Sequence, residues 1–127
     1  MIRAGIVLLI AILASATAMA QEGNPYNGNW AATWIGAKAM RKNVANVVIH
    51  DSGGTFQNQH ASRNNPCVGI KAPIAVTTAT ADELVFVIKF STALGGCKDA
   101  EVTLKRVDDK TLKGFRNKTM EMTLTRK

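Results

Sequence analysis

The chain is poor in the residues that build most active sites. Its 127 residues contain two histidines, His50 and His60, and two cysteines, Cys67 and Cys97. No Gly-x-Ser-x-Gly, His-Glu-x-x-His or phosphate-loop motif occurs. The common routes to an activated serine, a catalytic zinc or a bound nucleotide are therefore missing. Two cysteines without Cys-x-x-Cys spacing do not make a zinc site. The acid pairs Asp82-Glu83 and Asp108-Asp109 fall among turn residues, where carboxylates are ordinary. The expectation is a protein that is not an enzyme and carries neither metal nor cofactor.

Aromatic residues are also scarce, at 6%, and no run of Lys and Arg exceeds two. The basic residues are not interleaved with aromatics, which argues against a nucleic-acid partner. Long apolar runs are few. The main one, Ala4 to Ala14, falls short of the roughly 20 residues that a membrane-spanning helix needs. It sits between Met1-Ile2-Arg3 and an Ala-x-Ala ending at Ala18 and Ala20. A short positive start, an apolar stretch and small residues at the end form the layout of a secretion signal. Residues 1–20 are read as a signal peptide. Residues 21–127 are read as a single domain, with no transmembrane segment in the mature chain.

What remains is basic. Without Arg3 there are 15 Lys and Arg against 9 Asp and Glu, a net charge of +6. Such a surface favours an anionic small molecule, an anionic glycan or an acidic protein surface. An even cysteine count in an exported chain, periplasmic or secreted, predicts a Cys67–Cys97 disulfide. Closing a loop of about 30 residues contributes about 3–4 kcal/mol in the chain-entropy account.

Short β-branched and apolar runs alternate with Gly, Asn and Asp, the pattern of an all-β protein. Eight strands are expected: 30–35, 44–49, 55–60, 74–78, 84–90, 101–107, 111–116 and 120–126. The rival is a helix across 36–48, where Ala37 to Lys42 are good helix formers, but Val44, Val47, Val48 and Ile49 suit a strand. Pairing about Asp51–Gly54 sets Ile49 opposite Phe56 and His50 opposite Thr55. It gives Ala45, Val47, Ile49, Phe56, Asn58 and His60 a common face. Pairing about residues 80–82 sets Val76 opposite Phe86 and Ile74 opposite Ile88, with Thr78, Leu84 and Phe90 on the same side. The last strand alternates strictly, with Met120, Met122, Leu124 and Arg126 on one face. The seventh breaks parity between Leu112 and Phe115, and Gly114 is read as a bulge.

Gly28-Asn29-Trp30 opens the first strand, and Arg126 lies on the inward face of the last. This combination resembles the calycins, the lipocalin and avidin type of eight-stranded barrel. The resemblance implies a closed antiparallel up-and-down barrel, the alternative being an open β-sandwich. It also implies that Arg126 stacks on Trp30 at the closed end. Both tryptophans lie in the first strand, so an avidin-like biotin site is not implied.

In such a meander alternate connections share an end. The tight turns near Asp51, Asp82 and Asp108 gather acids at one end. The long connections gather Lys38, Arg41, Lys42, Arg63, Lys71, Lys98, Arg116 and Lys118 at the other, with Asp99 the single acid. Barrel mouths are common ligand sites. The candidate binding mouth is Trp34, Arg41, Lys42, Asn58, His60, Arg63 and Lys98. The function expected is an exported, non-enzymatic binding protein for an anionic small ligand or acidic partner. The alternative is an exported inhibitor acting through the disulfide-pinned loop 61–73.

Overall fold

The computed structural model describes residues 23–36 and 41–127. The signal-peptide assignment, Lys38 and most of the helix-forming stretch lie outside the described residues. Eight strands follow one another: β1 (Gly28–Ile35), β2 (Lys42–His50), β3 (Gly53–Asn58), β4 (Lys71–Ala79), β5 (Glu83–Ile88), β6 (Ala100–Asp108), β7 (Thr111–Arg116) and β8 (Met120–Arg126). Each pairs antiparallel with the next, and β8 returns to β1 to close the barrel. A closed barrel removes the free edges that an open sheet of the same strands would present. The single-meander expectation holds, and the sandwich alternative does not.

Strand alternation supplies the core. Trp30, Ala32 and Trp34 point inward from β1, Ala45, Val47 and Ile49 from β2, and Leu84, Phe86 and Ile88 from β5. Val102 and Leu104 join from β6, and Met122 and Leu124 from β8. These form one contiguous buried cluster. Small residues sit where neighbouring strands cross, with Ala32 opposite Ala45, which leaves room for the two indoles beside them. An eight-stranded barrel is just wide enough for side chains of this size to fill it.

The β4–β5 register is as expected at Ile74–Ile88 and Val76–Phe86. A shift between Val76 and Thr78 then places Ala79, not Thr78, opposite Leu84. The β2–β3 register differs by two residues. Val47 faces Phe56, Ile49 faces Gly54, and His50 faces Gly53, not Thr55. The turn is Asp51-Ser52, with Asp51 at φ 54°, a conformation that Asp tolerates better than most residues. Gly54 is not the turn centre. Its φ is 139°, and a Cβ there would collide with the Val48 carbonyl. A shift of two keeps parity, so Ala45, Val47, Ile49 and Phe56 still share the inner face.

Two further expectations change. Strand β5 ends at Ile88, and Phe90 opens a single helical turn, α1 (Phe90–Ala93), that keeps its ring buried. Gly114 is in regular register with Leu104 and Met122. The β6–β7 irregularity lies between Arg106 and Asp108 instead. Gly114 is required because a Cβ would strike the Thr103 carbonyl and lie 2.8 Å from Leu104 Cα. Leu112 is buried and Phe115 is 44% exposed, so the two do face opposite ways.

Candidate functional site: two ends of the barrel

At the tight-turn end Arg126 packs on Trp30, and a cavity of about 350 Å³ lies there, lined in part by Tyr26, Trp30, Leu112 and Arg126. The Arg126 guanidinium lies 4.3 Å from the Trp30 ring centre, a cation–π distance. It donates to the carbonyls of Asn27 (2.8 Å), Pro25 (3.1 Å) and Asp109 (3.3 Å). Trp30 Nε1 donates to the Tyr26 carbonyl at 2.8 Å, and the Tyr26 hydroxyl donates to the Thr80 carbonyl. One arginine thus ties the segment before β1, the last strand and the β6–β7 turn together. Four of the acids gathered here have local partners. Asp51 accepts from Asn27 at 3.0 Å, Glu83 pairs with Lys105 at 2.5 Å, Asp109 pairs with Arg106, and Asp108 caps the Lys110 amide at 2.8 Å.

The long-loop end is different. Here a disulfide joins Cys67 to Cys97, with Cα atoms 5.7 Å apart and a sequence separation of 30. It ties the β3–β4 connection to the β5–β6 connection. Between these loops and β7 lies a cavity of about 370 Å³. Phe56 and Phe90 line it, together with Val68 and both cysteines. Its polar lining is Asn58, Asn65, Lys98 and Arg116.

Arg116 reaches this cavity because it shares parity with Leu112 and Gly114, the inward positions of β7. Its guanidinium sits 5.3 Å from the Phe90 ring centre. Among the described residues no carboxylate lies within ion-pair distance of it, and burial pulls its pKa below the ordinary arginine value. Asp99, the acid of this end, is committed elsewhere. It accepts from the Ser91 amide (2.9 Å) and hydroxyl (2.7 Å) and lies 3.8 Å from Lys89. Those bonds hold its carboxyl below the usual aspartate value. Asn58 and Asn65 present their oxygens to backbone amides, those of His60 (3.2 Å) and Cys67 (3.0 Å). The polar side of the cavity is therefore rich in donors.

Of the expected mouth residues, Asn58 and Lys98 do line this cavity. Trp34 is buried beneath the mouth, 6.1 Å from Phe56 between ring centres. His60 is exposed and follows the end of β3 at Asn58, so it is not on the inner face. Arg41 and Arg63 are exposed on the loops and do not line the cavity. Lys42 lines a separate, larger groove of about 660 Å³ on the outer wall, with Ile35 and Phe115, beside the last β1–β8 pair at Thr33 and Thr123. That groove mixes Lys42 with Glu121 and lacks a buried charge. Arg116 was missing from the expected mouth. The available signal was its two-residue spacing from Gly114 and four-residue spacing from Leu112.

The described residues thus define a closed eight-stranded antiparallel β-barrel, with Arg126 stacked on Trp30 at one end and a cavity lined in part by Lys98 and Arg116 at the other. No known family, curated protein or solved structure matches the chain.

Proposed function

We propose that this chain is an exported, non-enzymatic binding protein that takes an anionic small ligand at the basic mouth of a calycin-like barrel. The single observation that carries this is Arg116. A partly buried guanidinium without a carboxylate partner is costly to the fold. Such a charge is well placed to complement an anion that arrives from solution. The Arg126–Trp30 stack supports the calycin-like reading. The disulfide supports export, because structural disulfides persist in oxidising compartments.

The test is calorimetric titration at low salt with a panel of small carboxylates and phosphates. At least one should bind, more weakly as NaCl rises. Arg116→Gln should abolish that binding, and Lys98→Glu should weaken it. Binding that is indifferent to both substitutions, or no binding by any anion, would contradict the proposal.

One observation favours a second reading. Residues 61–66 are all exposed, and the next residue, Cys67, is tethered to Cys97. A pinned, protruding loop suits an inhibitor, since preorganisation lowers the cost of ordering on binding. An inhibitor would lose its target on Arg63→Glu and keep it on Arg116→Gln. Ligand carriage predicts the reverse.

A further inference from the structure

The mouth cavity has a floor, and the floor restricts what enters. Trp34, Phe56 and Phe90 run in contact beneath it. The first pair is tilted at 32° with centres 6.1 Å apart, and the second meets edge to face at 85° and 5.9 Å. Phe56 is 1% exposed. Among the inward residues of β2, β5 and β6, none lines the cavity. The rings therefore stand between the cavity and the barrel core, and Phe86, Ile88, Val102 and Leu104 behind them are closely buried. A long acyl chain has no continuous path inward.

The remaining space is compact. A cavity of roughly 150 Å³ suffices for benzene, so about 370 Å³ holds one or two fused rings with a short arm. Its walls are aromatic edges and faces together with a disulfide, surfaces that favour an aromatic body. Its polar groups are Arg116, Lys98 and the amides of Asn58 and Asn65, and no carboxylate lines it. A planar guanidinium matches a planar carboxylate through two parallel hydrogen bonds. One partly buried cation balances one negative charge. A phosphate dianion would set its second charge against Lys98, which is exposed, where solvent screens the pairing. A zwitterion would bring an ammonium group to a wall that holds no carboxylate.

Resting on the anion-binding reading above, we propose that the ligand is a compact aromatic monocarboxylate. Its carboxylate is forked by Arg116, and its ring lies on the Phe56–Phe90 floor under the Cys67–Cys97 bridge. The probes are phenylacetate and indole-3-acetate, set against phenylalanine, decanoate and inorganic phosphate. Titration is followed by calorimetry and by the amide signals of Gly69 and Gly96, which flank the cavity. Either aromatic acid should bind at least about tenfold more tightly than the three controls, about 1.4 kcal/mol at 25 °C. It should shift those amides and lose at least tenfold on Arg116→Gln. Arg116→Lys, which keeps the charge and removes the fork, should lower the affinity for the aromatic acids.

Tighter binding of decanoate or phosphate, still dependent on Arg116, would overturn the aromatic assignment and leave the anion site standing. Binding of phenylalanine equal to that of phenylacetate would also overturn it. Absence of binding by every anion, or indifference to Arg116→Gln, would overturn both proposals.

Discussion

Arg116 and Arg126 sit on neighbouring strands at opposite ends of the barrel, and their surroundings could hardly differ more. Arg126 donates to three carbonyls and stacks on Trp30. Arg116 has Phe90 beside it and, among the described residues, no carboxylate partner. Arg126→Met should destabilise the protein by about 3 kcal/mol, because it leaves carbonyls unpaired and removes a cation–π contact. Urea denaturation measures this. A second prediction concerns Asp99. Its folded pKa is lowered by the Ser91 bonds, so the folded state holds that proton less tightly than the unfolded chain. The stabilisation is complete above the ordinary value of 3.8 and fades as pH falls below it through the lowered pKa. An NMR titration of the Ser91 amide should show a midpoint below 3.8, and Asp99→Asn should remove the transition. Arg126 was legible in the sequence as the inward end of a strictly alternating strand. His60 was misplaced because alternation says nothing once a strand has ended, and β3 ends at Asn58.

At the level of elements, two glycines and one bridge set the geometry. Gly114→Ala should cost about 1–3 kcal/mol, since its Cβ meets the Thr103 carbonyl and the Leu104 backbone, which do not move aside as a side-chain tip would. Thermal unfolding checks this. For a domain near 100 residues, each kcal/mol moves the midpoint by about 4–8 °C. Replacing Cys67 and Cys97 by Ser should cost about 3–4 kcal/mol and loosen the two loops that wall the mouth. Hydrogen exchange should rise there more than at Leu104 or Leu124, deep in the core.

All eight strands were legible from β-branched runs and Gly, Asn and Asp punctuation. Registers were less so. Gly53-Gly54 has the composition of a turn, yet Gly54 serves a close strand crossing and the turn is Asp51-Ser52. The face assignment survived because a shift of two preserves alternation. The role of Gly114 was hidden for the same reason: composition does not distinguish a bulge from a close approach.

At the scale of the whole molecule, barrel closure converts a scattered set of charges into two unlike ends. The separation of acidic turns from basic loops follows from strand order alone, and sequence sufficed to foresee it. Which cations converge did not follow, because rim side chains take their direction from loop conformation. Lys98 and Asn58 turn toward the cavity, Arg41 and Arg63 toward solvent, and Lys42 toward the outer wall. At the acidic end Asp51, Glu83, Asp108 and Asp109 have local partners and contribute to the fold. At the basic end Arg116 is partly buried and, among the described residues, has no carboxylate within ion-pair distance.

That asymmetry sets Arg116 apart from Arg126, and stability measurement without ligand tests it directly. Urea denaturation of the wild type and Arg116→Met at neutral pH compares a lone guanidinium with an apolar chain in the same place. The variant's midpoint should equal or exceed that of the wild type, as when an uncompensated charge held for binding is removed. A loss of more than about 1 kcal/mol, the ordinary cost of damaging a structural residue, would contradict it and make Arg116 a support of the fold like Arg126.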